Sequence, residues 1–180
     1  MKLFKKLAAA VLAAALALTM VGCSGGNSYA VQDELLKVMI DNFTDEDLTV
    51  THTKKADDLA AALLAAADKA AALEANNGKD AEDLLLDETV IAAAGIDPEK
   101  TPCFVNLIDD VQFKSSGMMG ELLKLEWMWQ VTRFENFDEI GSFNPRDNDK
   151  VEIGAATHKI GDKSYILILA TYTPTTPSTT

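Results

Sequence analysis

The run Tyr165-Ile166-Leu167-Ile168-Leu169 constrains the fold of this chain more than any other stretch. A strand with one wet face alternates apolar and polar residues, whereas an unbroken apolar run belongs to a central strand covered on both faces. Such a strand requires a packed layer on each side of its sheet. Gly161-Asp162 supplies a turn directly before it, and Val151 to Ile160 alternates, so the two segments read as a hairpin.

The rest of the chain supplies the layers. From Tyr29 to Phe43, Val31, Leu35, Val38, Met39 and the Asn42/Phe43 pair recur at helical spacing, and the acidic turn Thr44-Asp45-Glu46-Asp47 stops them. Leu48 to Thr53 alternates with β-branched residues, as a short strand would. Thr53 then caps a second helix expected through Ala75, with Asp57 and Asp58 near its positive end and Leu59, Leu63, Ala66, Ala67 and Ala70 on one face. Asn76-Asn77-Gly78 ends it. A third helix is expected from Asp80, as its cap, to Ala94, closed by Gly95.

Pro98 and Pro102 bracket a loop before a strand at Phe104 to Phe113, in which Asp109-Asp110 requires an edge or bulge. Met118 to Phe134 reads as a fourth helix, apolar nearly all round. Asn136 to Lys150 reads as irregular. Thr171 to Thr180 is too poor in apolar groups to repay ordering and reads as a tail. The expected fold class is α+β, a three-layer α-β-α sandwich with a mainly antiparallel central sheet. Residues 29–173 form its single domain and 174–180 a disordered end.

The N-terminus carries a different kind of information. Lys2, Lys5 and Lys6 precede the apolar stretch Leu7 to Met20, which is short for a membrane span, and Met20-Val21-Gly22-Cys23 follows. This stretch resembles the bacterial lipoprotein signal, in which peptidase cleavage needs a small residue before a diacylated cysteine. Met20 stands where leucine is more usual. The resemblance implies a signal peptide at residues 1–22, a lipid-modified Cys23, a flexible tether at 23–28 and an extracytoplasmic domain held at the bacterial cell membrane by acyl chains. Removing the signal takes three lysines and no acid, so the net charge moves from −12 to −15. A body that acidic lacks the basic footprint of a nucleic-acid partner. It also stays off anionic lipid except through its anchor.

With Cys23 lipidated, Cys103 has no partner for an internal disulfide, and a thiol-rich metal site cannot be built. Its place at the entry to Phe104, Val105, Leu107 and Ile108 reads as a buried core thiol.

Three local features resemble the CAP superfamily, the secreted cysteine-rich secretory and pathogenesis-related proteins. Leu48-Thr49-Val50-Thr51 followed by Lys55 to Ala70, with Leu59 and Ala66, is similar to that family's second helix. Glu152-Ile153-Gly154-Ala155-Ala156, then Gly161-Asp162-Lys163-Ser164-Tyr165-Ile166-Leu167-Ile168, is similar to its closing hairpin. Trp127 or Trp129 falls where the family carries a tryptophan. The resemblance implies an α-β-α fold over residues 29 to 173. Neither position of the family's cleft histidines holds a histidine here, since the relevant stretches are Gly95 to Pro102 and Val131 to Phe137, so its metal site is not expected.

The chemistry-bearing residues are few. His52 and His158 have no carboxylate or thiol at a ligand spacing and read as satisfied or solvated. No Gly-x-Ser-x-Gly elbow occurs, and an enzyme is disfavoured. The acidic runs Asp41 to Asp47 and Asp138 to Glu152 lack the glycine of a calcium loop, and Asp109 and Asp110 point to opposite faces of a strand. Trp127 and Trp129 lie about 200° apart on a helix, so one packs and the other packs on a loop or is presented to a ligand. The leading expectation is a non-catalytic, cofactor-free lipoprotein whose domain binds a ligand or an envelope partner. The alternatives are a cell-envelope hydrolase whose carboxylates converge from Asp109, Asp110, Glu121, Glu126, Glu135 and Glu152, and a structural or accessory envelope protein.

Overall fold

A computed structural model describes residues 36–37, 40–41, 48–109, 137–145 and 149–172 of the 180 residues. It is a mixed α/β fold built on a five-stranded, mostly antiparallel open sheet. Three bounded helices pack against this sheet. The strands are β1 (Thr49–His52), β2 (Cys103–Asp109), β3 (Asp138–Ile140), β4 (Lys150–Ile160) and β5 (Lys163–Tyr172), in the spatial order β1-β4-β5-β2-β3. The β1–β4 pair is parallel; all other pairs are antiparallel. The helices are α1 (Lys54–Ala71), α2 (Ala81–Leu85) and α3 (Glu88–Ala93). Residues 36, 37, 40 and 41 are also helical, within the segment expected to form the first helix.

The apolar run is a central strand. β5 lies between β4 and β2, and its residues 166–170 are wholly buried. Leu167 and Leu169 join Ala56, Ala60, Leu63, Leu64, Ala67, Leu84, Leu85, Val90 and Ile91 in the core between sheet and helices. Ile166, Ile168 and Ala170 point the other way, into a second core with Val151, Ile153, Ile108 and Leu36. The strand therefore has a hydrophobic cluster on each face, as its lack of alternation requires.

Helix α1 starts where Thr53 predicts. The Thr53 hydroxyl accepts the Ala56 N–H at 3.2 Å, and the Thr53 N–H donates to Ile153 O at 3.1 Å, tying the cap to β4. Its buried stripe is mostly alanine, which brings the helix axis close to the sheet, and Gly154 of β4 completes that approach. A Cβ built on Gly154 would stand 2.3 Å from Asp57 N and 2.4 Å from Ala56 C.

Several expectations change. The second helix was expected to reach Ala75, but α1 ends at Ala71. A 3-10 turn at Glu74–Asn76 follows, and Asn76 Nδ2 donates to Ala70 O at 3.0 Å. The expected single helix from Asp80 to Ala94 is two. Asp87 interrupts it because its carboxylate accepts the Thr89 N–H at 3.0 Å and so caps α3. That bonding, with the Thr89 hydroxyl foremost, holds the Asp87 carboxyl below its ordinary range. Asp80 sits at the N-cap of α2, yet its side chain makes no cap hydrogen bond. At the C-terminal end, Thr171 and Tyr172 belong to β5 and are buried, not part of a tail, because the sheet register carries them opposite Cys103 and Val151. The expected fourth helix at 118–134, the end of the β2 segment from Asp110 to Phe113, and residues 1–35 and 173–180 lie outside the described residues.

Candidate functional site

Helix α1 is fastened to the hairpin at both ends by an aspartate that also meets a histidine. At its start, Asp57 Oδ1 accepts the Ala155 N–H of β4 at 2.9 Å, and His52 Nε2, from the end of β1, lies 2.9 Å from both carboxylate oxygens. An ionised carboxylate only accepts, so Nε2 is the donor there. In the last turn of α1, Asp68 Oδ1 accepts the N–H of Gly161 in the β4–β5 turn at 3.0 Å, with His158 Nε2 3.7 Å from Oδ2. Gly161 takes a φ of 60° to make that turn. The chain's two histidines thus each face a carboxylate of one helix. Linear spacing conceals both contacts, because the carboxylates reach the histidines only once α1 folds over β4.

Between these ends, Lys55 Nζ donates to Glu152 of β4 at 2.6 Å. Lys54 and Asp58 pair one turn apart on the exposed side, where solvent screens the attraction.

Cys103 opens β2 beneath this layer. It is fully buried, and its thiol donates to Thr101 O at 3.2 Å. Burial pushes the thiol up to about 11, with the neighbouring Thr171 hydroxyl and the Lys55 charge opposing that rise only in part. At neutral pH it is therefore an inert thiol, as its apolar setting in the sequence suggests. Thr171 donates to Pro102 O at 2.9 Å and helps close the same corner.

On the opposite face of the sheet, four aromatic rings gather where β2 begins and β5 ends. Phe104 stacks on Phe137 with centroids 4.5 Å apart and on Phe143 at 5.4 Å, and Phe143 meets Tyr172 edge-on at 5.4 Å. The Tyr172 hydroxyl donates to Ser142 O at 3.4 Å and accepts the Asn144 N–H at 3.3 Å, which holds the loop after β3 against the strand. Sequence reading passes over this cluster, since its members come from three separate segments with no shared period. The set is an apolar, ring-lined corner whose one polar group, the Tyr172 hydroxyl, is spent on the loop backbone at Ser142 and Asn144.

The carboxylates considered for a hydrolytic pair do not meet where they can be located. Asp109 is in register with Tyr165 and Glu152 with Thr171, six strand residues apart, or about 20 Å. Asp110, Glu121, Glu126 and Glu135 lie outside the described residues, as do Cys23, Trp127 and Trp129. Among the described residues, no group of three metal-ligating side chains converges and no helix is long and apolar enough to cross a membrane. Comparisons of the chain with protein-family models, with curated proteins and with solved structures each give no match.

Proposed function

We propose that this chain is a bacterial lipoprotein, anchored through diacylated Cys23 to the extracytoplasmic face of the cell membrane, whose domain binds a ligand or envelope partner without catalysis. The anchor rests on Met20-Val21-Gly22-Cys23 and the basic and apolar segments before it. The observation that carries the non-catalytic part is the occupation of the most reactive side chains. His52 and His158 are engaged by the two aspartates that fasten α1, and Cys103 is a buried thiol held protonated. Each has a structural place in the fold: the two aspartates tie α1 to the hairpin through backbone N–H groups, and the buried thiol is unreactive at neutral pH.

A three-layer, CAP-like α-β-α arrangement belongs to the same reading. It is supported by the hydrophobic cluster on each face of β5 and by the β4–β5 hairpin, the segment most similar to that family. Trp127 and Trp129 are the residues assigned to ligand contact, and neither metal nor cofactor is required. Titration of the mature protein with cell-wall oligosaccharides, peptides and fatty acids, followed by tryptophan emission and by product analysis of the same samples, tests the proposal. A saturable emission change with unaltered ligand supports it. Turnover of any of these compounds would overturn it, and so would failure of all of them to change the emission.

A further inference from the structure

Asn77-Gly78 is the sole Asn-Gly step of the chain; every other asparagine is followed by a residue that carries a side chain. The step forms its own turn between the 3-10 turn after α1 and the start of α2. Asn77 has φ −59° and ψ 119°, Gly78 has φ 88°, and the Lys79 N–H donates to Asn76 O at 3.1 Å. That is a type II turn, with glycine at the position that requires a positive φ. Its one hydrogen bond leaves the central amide aside, and among the described residues no backbone carbonyl accepts the Gly78 N–H. Asn77 and Gly78 are both exposed, and a Cβ built on Gly78 would meet nothing within 4 Å.

The turn puts a nucleophile and an electrophile one bond rotation apart. At ψ 119° Gly78 N lies beside the Hα of Asn77, and rotation about the Cα–C bond brings it beside Cβ, within reach of Cγ. The rotation breaks only the Lys79–Asn76 hydrogen bond, and no side chain on residue 78 shields the nitrogen. A resonance-stabilised amide nitrogen is a weak nucleophile, so the reaction is slow and goes faster as alkali removes its proton. Asn76 differs on each count. Its Nδ2 donates to Ala70 O at 3.0 Å, it is half-buried, and the residue after it carries a side chain.

We propose that Asn77 is a site of spontaneous deamidation, converted through a succinimide closed by Gly78 N into aspartyl and isoaspartyl forms, with water as the only other reactant. Gly78 N gives up its proton and bonds to Asn77 Cγ, while the Cγ–Nδ2 bond breaks and Nδ2 leaves as ammonia. Water then opens the ring at either carbonyl. Opening at Cγ restores the peptide beside a new carboxylate, and opening at the main-chain carbonyl leaves the chain running through Cβ and Cγ. The new charge joins Glu74, Asp80, Glu82 and Asp83 around Lys79. The isoaspartyl form also lengthens the main chain by Cβ and so dissolves the turn that joins α1 to α2, whose Leu84 and Leu85 are buried in the core with α1. The proposal stands apart from the lipid anchor and from ligand binding.

The test keeps the mature chain for days in mildly alkaline heavy-oxygen water and maps the tryptic peptide 70–79, which holds both Asn76 and Asn77 between Lys69 and Lys79. A growing fraction should exchange NH2 for labelled oxygen at Asn77, faster at higher pH, with more isoaspartyl than aspartyl product. Gly78→Ala should slow it at least several-fold. An unchanged native chain beside a synthetic peptide 70–79 that converts would overturn the proposal, because the turn would then lock Asn77. Equal conversion at Asn76, or an unchanged rate in Gly78→Ala, overturns it as well. If Gly78→Ala fails to fold, the product ratio in the parent chain decides: aspartyl product alone means direct hydrolysis and refutes the ring.

Discussion

Gly154→Ala should be among the most damaging single-methyl changes in the domain. The added Cβ would meet Asp57 N at 2.3 Å and Ala56 C at 2.4 Å, both backbone atoms in the first turn of α1. Ordinary carbon contacts are about 3.5 Å, so the start of the helix would have to retreat by roughly 1 Å. That retreat loosens the fully buried Ala56 and Ala60 and stretches two hydrogen bonds, Thr53 N–H to Ile153 O and Ala155 N–H to Asp57. Overpacking of this kind costs about 1–3 kcal/mol, and one impaired hydrogen bond about 1 kcal/mol more. A loss of about 2–4 kcal/mol is expected, a large share of a typical domain's stability. Urea unfolding followed by circular dichroism should show a lower midpoint with an unchanged slope. Gly161→Ala is the control: nothing lies within 4 Å of its Cβ, and its φ of 60° alone sets a cost of about 1–2 kcal/mol. A Gly154→Ala loss below about 1 kcal/mol would refute the close approach of α1 to β4.

Asp57→Ala leaves the N–H of buried Ala155 without its acceptor and should cost about 1–3 kcal/mol, whereas Asp68→Ala frees only the exposed turn at Gly161 and should cost less; paired urea curves check the order. Thr53→Ala removes the cap of α1 and should cost about 1 kcal/mol by the same assay. Cys103 should resist alkylation in the native protein at pH 8 and react fully in denaturant. Its folded value is raised from 9.0 to about 11, so its contribution is complete below pH 9 and is lost as pH rises from 9 to 11. That loss amounts to about 3 kcal/mol and should be absent from the pH profile of Cys103→Ala.

What was legible in the sequence was local and periodic. The β4–β5 hairpin announces itself through alternation, a Gly-Asp turn and an unbroken apolar run, and Thr53 announces its helix through one hydroxyl at the right place. The break at Asp87 was not legible, because an aspartate inside an apolar-periodic stretch looks like a solvated helix residue until its carboxylate takes the Thr89 N–H. Thr171 and Tyr172 looked like a tail because composition ignores register, whereas β4 pairs with both residues and β2 with Thr171. The contacts His52–Asp57 and His158–Asp68 and the aromatic cluster depend on tertiary placement and leave no linear trace. Gly154 had a signal, a lone glycine within a strand, which often marks a close backbone approach.

The lipid anchor is the claim on which the location and the function of this domain both depend. Mass spectrometry of the protein from the membrane fraction of producing cells tests it most directly. The account predicts a chain that begins at Cys23 with diacylglycerol on its thiol, and a Cys23→Ser variant that carries no lipid. An intact Met1 or an unmodified Cys23 would contradict it.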